Sequence, residues 1–148
     1  MLKSLFTLGL FATAVHSQTV EIGLPNKGDQ LAAGSDQIVQ IQRPDSLTGS
    51  DEIAVVIGIQ QCPNGECTSP DASLGTVLYQ GGFDPQFHGP QPPYQNFTVQ
   101  IPEYSCGPAI IGVAHMSLVG ASTYPLIEFL NQTVTIVAAL CPTQAEEA

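Results

Sequence analysis

Ala109–Gly120 reads AIIGVAHMSLVG, Ala121–Pro125 reads ASTYP, and Leu126–Ala139 reads LIEFLNQTVTIVAA. Two apolar runs rich in β-branched residues flank a short segment of Gly, Ser and Pro, the composition of paired strands. In the second run Leu130, Val134 and Ile136 share one parity while Thr133 and Thr135 take the other. That pattern predicts one buried and one wet face. The first run is apolar on both parities, with Ile110, Ala114, Met116 and Leu118 on one and Ile111, Val113 and Val119 on the other. Such a strand belongs mid-sheet, with neighbours over much of its outer face. No charge falls between Glu103 and Glu128, so the hairpin sets the core.

Working back from it, strand-like runs alternate with turn clusters at intervals of about 10 to 15 residues, the rhythm of a sandwich. Thr19–Pro25 (TVEIGLP) is the first predicted strand. The turn-rich NKGDQLAAGSD follows, with Leu31 tucked inward. In Gln37–Pro44, Val39 and Ile41 face in, and in Glu52–Cys62 the residues Ile53, Val55, Ile57 and Ile59 share one face. Ser73–Gly81 is a shorter strand at an edge. Gly82–Pro93 holds four prolines and stays out of any sheet interior. Tyr94–Pro102 sends Phe97, Val99 and Ile101 inward. The mature chain shows no period of 3.6. Seven antiparallel strands in one domain predict an all-β, immunoglobulin- or fibronectin-like sandwich.

Met1–Ser17 is a different kind of segment. It has one cation, Lys3, an apolar run from Leu5 to Val15, and Val15 and Ser17 at the positions a signal peptidase prefers. The run falls short of the roughly 20 residues that a membrane span requires. It reads as a secretory signal, leaving residues 18–148 as the β-sandwich domain in the extracellular space, and no later run suggests membrane insertion. Lys3 leaves with the signal, so Lys27 and Arg43 face 13 acids and the mature chain carries −11. Two cations make no basic patch, which excludes nucleic acid and anionic membrane surfaces as expected partners.

All four cysteines lie in the mature part, and secretion makes them disulfide candidates. Zinc is the weaker reading, because the Cys62/Cys67 pair has no second matched pair. In a sandwich all four lie near one pole. Cys62–Cys67 with Cys106–Cys141 is the preferred pairing, and Cys62–Cys106 with Cys67–Cys141 stays open. Asn96-Phe97-Thr98 and Asn131-Gln132-Thr133 are glycosylation acceptors in a secreted chain.

Reactive constellations are thin. There is no G-x-S-x-G elbow, H-E-x-x-H or P-loop. His115 shares the parity of Ile111 and Val113, where a hydrogen-bonded core histidine outweighs a general base. His88 and Asp84 share an aromatic loop that packs over the sandwich edge. Glu103 and Glu128 form a nominal carboxylate pair for glycoside hydrolysis, but any seven-stranded fold brings some carboxylates together. A copper site on an N-terminal His16 would need cleavage after Val15, a poor residue at that place. The expectation is a non-enzymatic protein without cofactor or metal.

Ser73–Pro102 (SLGTVLYQGGFDPQFHGPQPPYQNFTVQIP) and Gly112–Ile136 (GVAHMSLVGASTYPLIEFLNQTVTI) resemble the necrosis-inducing secreted protein family of fungi. The likeness lies in the LGTVLY and PPYQNFTV strands and in the H-x-SLxGA…N-x-TV hairpin, and it covers most of the mature chain. It implies a secreted effector of a plant-associated fungus that binds plant receptor-associated immune kinases, dampens signalling or provokes cell death. The resemblance carries over no binding residue. The loop aromatics Phe83, Phe87 and Tyr124 are the candidate partner-binding anchors. The competing reading is a carbohydrate- or cell-wall-associated module, in which Phe83, Phe87, His88 and Tyr94 stack on sugars of a wall polysaccharide. For Phe83 and Phe87 the plainer role is to cap the sandwich core.

Overall fold

In the computed structural model, which describes residues 19–45, 48–139 and 141, the terminal hairpin pairs over its whole length. β7 (Gly107–Val119) runs antiparallel to β8 (Tyr124–Val137) from Gly107↔Ile136 to Val119↔Tyr124. On its other side β7 pairs with β4 (Ser50–Gln61), and β4 pairs with the edge strand β5 (Thr76–Gly81). β2 (Gln30–Ala32) closes the far edge, giving the order β2-β8-β7-β4-β5. The second sheet is β1 (Glu21–Leu24), β3 (Asp36–Gln42) and β6 (Tyr94–Gln100), in the order β1-β3-β6.

Alternation within each strand assigns the core. Val39 and Ile41 of β3 and Phe97 and Val99 of β6 meet Val55, Ile57 and Ile59 of β4, Ile111 and Val113 of β7, and Val134 and Ile136 of β8. These two inner faces make an all-β sandwich of the immunoglobulin- and fibronectin-like kind, with the predicted edge strand and central hairpin in place.

Among the described residues there are eight strands rather than seven. The added one, β2, carries the buried Leu31 and pairs parallel with β8 (Leu31↔Ile136), so the sandwich is not wholly antiparallel. Three residues inside a turn-rich run give no alternation to read. The residues Ile110 and Gly112 on the outer face of β7 are buried because the segment after Cys67 folds over them. A Cβ on Gly58 would stand 2.2 Å from the Leu74 carbonyl, and one on Gly112 3.1 Å from the Leu74 side chain. Glycine at both places is what lets that cover close.

A second departure concerns β4. Ile53 was expected to share the buried face of Val55, Ile57 and Ile59, but it is 42% exposed. The ladder to β7 slips between Glu52↔Ser117 and Ala54↔Met116, leaving Ile53 as an extra residue. A bulge of this kind re-aims the side chains beside it. Here it turns Glu52 toward the interior.

The chain poles differ in their chemistry. Cys62 is joined to Cys67 and Cys106 to Cys141. Both bridges lie where β4 and β8 end and β7 begins, and the Cys62 amide donates to the Pro108 carbonyl at 2.8 Å. The described residues 43–45 and 48–49 gather with the segments 82–93 and 120–123 at the opposite pole.

Candidate functional site

Inward-facing side chains near that second pole form one polar network. His115 stands opposite Val55 on β4 and Glu128 on β8. Its Nδ1 lies 3.0 Å from Glu128 Oε2, and its Nε2 lies 2.6 Å from Glu52 Oε2. Arg43, just past β3, donates from Nε to Glu52 Oε1 at 2.7 Å and from Nη2 to Ser50 Oγ at 2.7 Å. Ser50 in turn donates a hydrogen bond from its hydroxyl to Glu52 Oε1 at 2.5 Å. The Phe83 ring stands edge-on to the imidazole, with centroids 5.3 Å apart.

Only 1% of the His115 side chain is exposed, and 9% of Glu52. Both carboxylates accept from the ring, so the imidazole donates from both nitrogens and is the cation. Burial alone would lower its pKa, but the hydrogen bonds and charges of Glu52 and Glu128 outweigh burial and raise it above 6.5. Burial likewise works to raise the pKa of Glu52. The hydrogen bonds from His115, Ser50 and Arg43, together with the His115 charge, overcome it and bring the pKa to about 2. Two cations and two anions thus cancel within the sandwich.

As arranged, the imidazole has no free lone pair and Glu52 is a feeble base. The network therefore serves as a clamp, tying the end of β3 to β4, β7 and β8 where the core meets the loops. Above it opens a cleft of about 360 Å³, lined by Arg43, Asp45, Asp51, Asp84 and Phe87 among others. Among the described residues, no group of three His, Cys, Asp or Glu side chains could hold a metal ion.

The sequence-derived candidates fall in different places. Phe83 is 3% exposed and packs against Phe97 and His115, so it caps the core and cannot be a surface anchor. Phe87 and Tyr124 are 67% and 65% exposed, both at the loop pole. His88 stacks on Tyr94 with centroids 4.2 Å apart, while Asp84 accepts from Gln86. Glu103 lies beside Gly34 at the disulfide pole, so it does not pair with Glu128. The carboxylate that does meet Glu128, across His115, is Glu52, which strict alternation had turned outward. Asn96 and Asn131 are exposed on the outer faces of the two sheets. The signal segment and His16 lie outside the described residues.

The sequence model of the Nis1 family matches residues 15–135. The chain belongs to the Nis1 family. That match spans all eight strands but the last two residues of β8. No curated protein matches the chain. Among solved structures, the fibronectin(III)-like modules of Clostridium thermocellum CbhA align with 13% identity and a TM-score of 0.40. That alignment covers 83% of this chain and 99% of the module.

Proposed function

We propose that this Nis1-family protein is a secreted fungal effector that acts by binding a host protein and turns over no substrate. Its partner is a plant receptor-associated immune kinase, and its contact surface is the loop pole that carries Phe87 and Tyr124. The family match over residues 15–135 is the observation that carries this reading. Two further features support it. Exposed aromatic rings at loop tips suit anchors that bury on contact. The mature charge of −11, with Asp45, Asp51 and Asp84 around the cleft, suits a basic partner surface.

The test is binding of the secreted chain to recombinant immune-kinase domains across a salt series. Saturable binding whose association rate falls with salt is the expected result, because screening shortens to about 8 Å at physiological strength. A second reading, the wall-associated module, draws on the His88–Tyr94 stack and the open Phe87 ring. Retention on β-glucan or chitin with no kinase binding replaces the first reading with the second.

A further inference from the structure

The outer face of the five-stranded sheet carries apolar side chains that no strand covers among the described residues. Met116, Ile127 and Phe129 are 36%, 59% and 48% exposed, and Met116 pairs directly with Ile127. Two residues beyond Phe129 on the same face stands Asn131, and beyond it Thr133, both exposed. Alternate residues of one strand lie about 7 Å apart with side chains parallel. The spacing Phe129-Leu130-Asn131-Gln132-Thr133 therefore sets a glycosylation acceptor beside an unoccupied aromatic ring.

We infer that Asn131 carries an N-linked glycan whose first N-acetylglucosamine lies on the Phe129 ring and covers this face. In forming it, Asn131 Nδ2 bonds to C1 of a lipid-pyrophosphate-linked oligosaccharide. The C1–O bond breaks, lipid pyrophosphate leaves with the electron pair, and the amide gives up one proton. The sugar's ring C–H groups meet the negative face of the aromatic quadrupole, while its hydroxyls and acetamide stay in water. Asn131 pairs with Gly112, so no side chain of β7 stands beside it; Leu74 and Pro70 pack over Gly112 and wall the site on that side, leaving the exposed Phe129 ring as its open neighbour.

The other acceptor supplies an internal contrast. Tyr94 stands two residues before Asn96, but its ring is already stacked on His88, and the Asn96 Oδ1 accepts from Gln40 Nε2 at 3.0 Å. Stacking of the first sugar belongs to Asn131. A glycan there also removes the outer sheet face from partner binding and leaves the loop pole open.

The inference rests on the secretory part of the function proposed above, and the experiment separates the two. The chain is expressed in a eukaryotic secretory host behind its own leader and, in parallel, behind a leader of proven function. Failure of the native leader alone counts against the secretory reading, while the other arm still tests the site. Peptide mass spectrometry reads occupancy of Asn131. Melting is then measured for wild type, Phe129→Ala and Phe129→Leu, each with and without Thr133→Ala, which removes the acceptor. The expected result is full occupancy and a glycan-dependent rise in Tm of about 3 °C in wild type, retained after endoglycosidase trimming to the first sugar. With alanine or leucine at 129 the rise shrinks below about 1 °C. An unoccupied Asn131 behind the proven leader, or an equal rise in all three backgrounds, overturns the inference.

Discussion

Glu52 reaches His115 because β4 carries one residue more than its partner strand. Val55 is the residue opposite His115 in the ladder, and Glu52 stands opposite Ser117, yet the 2.6 Å contact to the imidazole comes from Glu52. Without the extra residue at Ile53, strict alternation between Val55 and Glu52 would send the carboxylate into water. The sandwich would then hold a buried imidazolium with one partner in place of two.

The charges in this clamp set a pH window. His115 has its folded pKa raised above 6.5, so its contribution is complete below pH 6.5 and is lost as pH rises through the folded value. Glu52 falls from 4.5 to about 2, so its contribution is complete above pH 4.5 and is lost as pH falls toward 2. The shift of Glu52 corresponds to an upper bound of about 3 kcal/mol. Urea unfolding across pH should give a plateau between these limits and a decline on both sides. His115→Gln should be less stable on the plateau and lose the alkaline decline; an unchanged alkaline limb would show that another group titrates there.

The bulge can be tested by truncating side chains along β4. Ile57→Ala should cost about 3 kcal/mol, as a large-to-small change in the core does. Ile53→Ala should cost less than about 1 kcal/mol, because that side chain is largely in solvent already. Equal losses at both positions would mean that Ile53 packs inward and that the ladder runs without a bulge.

The two disulfides close loops of very different size, with sequence separations of 35 for Cys106–Cys141 and 5 for Cys62–Cys67. On a chain-entropy basis they contribute about 4 and about 2 kcal/mol. Paired alanine variants of each bridge, melted side by side, should therefore rank with the Cys106–Cys141 loss the larger. Non-reducing peptide maps of the intact protein should join the same pairs.

The loop aromatics should divide by burial. Phe83→Ala should destabilise by about 3 to 5 kcal/mol, since it leaves a cavity between Phe97 and His115. Phe87→Ala and Tyr124→Ala should leave the melting point nearly unchanged. If either ring is an anchor, its loss weakens kinase binding by at least about tenfold, corresponding to roughly 1.4 kcal/mol. Wild-type affinity in both surface variants would move the contact surface away from this pole.

Much of the fold could be read directly because alternation is a local property. The parity of Leu130, Val134 and Ile136 marked the inner face of β8, and the apolar character of both faces of β7 marked its central place. Half of the clamp was visible in the same way. His115 shares the inward parity of Ile111 and Val113, and Glu128 shares that of Leu130, which already puts a charge on a buried face. Glu52 was hidden for a physical reason: a bulge inverts parity from a single point, and nothing in the residue types around Ile53 announces it. Phe83 and Phe87 sit in one proline-rich loop with no period, so which ring turned inward depended on long-range contacts with Phe97 and His115.

The contrast between the poles also sets how the molecule should come apart. One end is closed by sulfur–sulfur bonds, the other by an imidazolium held between two carboxylates, and roughly 30 Å of β7 separates Cys106 from His115. A reductant and an alkali therefore attack opposite ends of the same strand. Groups so far apart with no common partner act independently. Reduction should release β8 from its C-terminal end while the loop end stays shut, and alkali should do the converse.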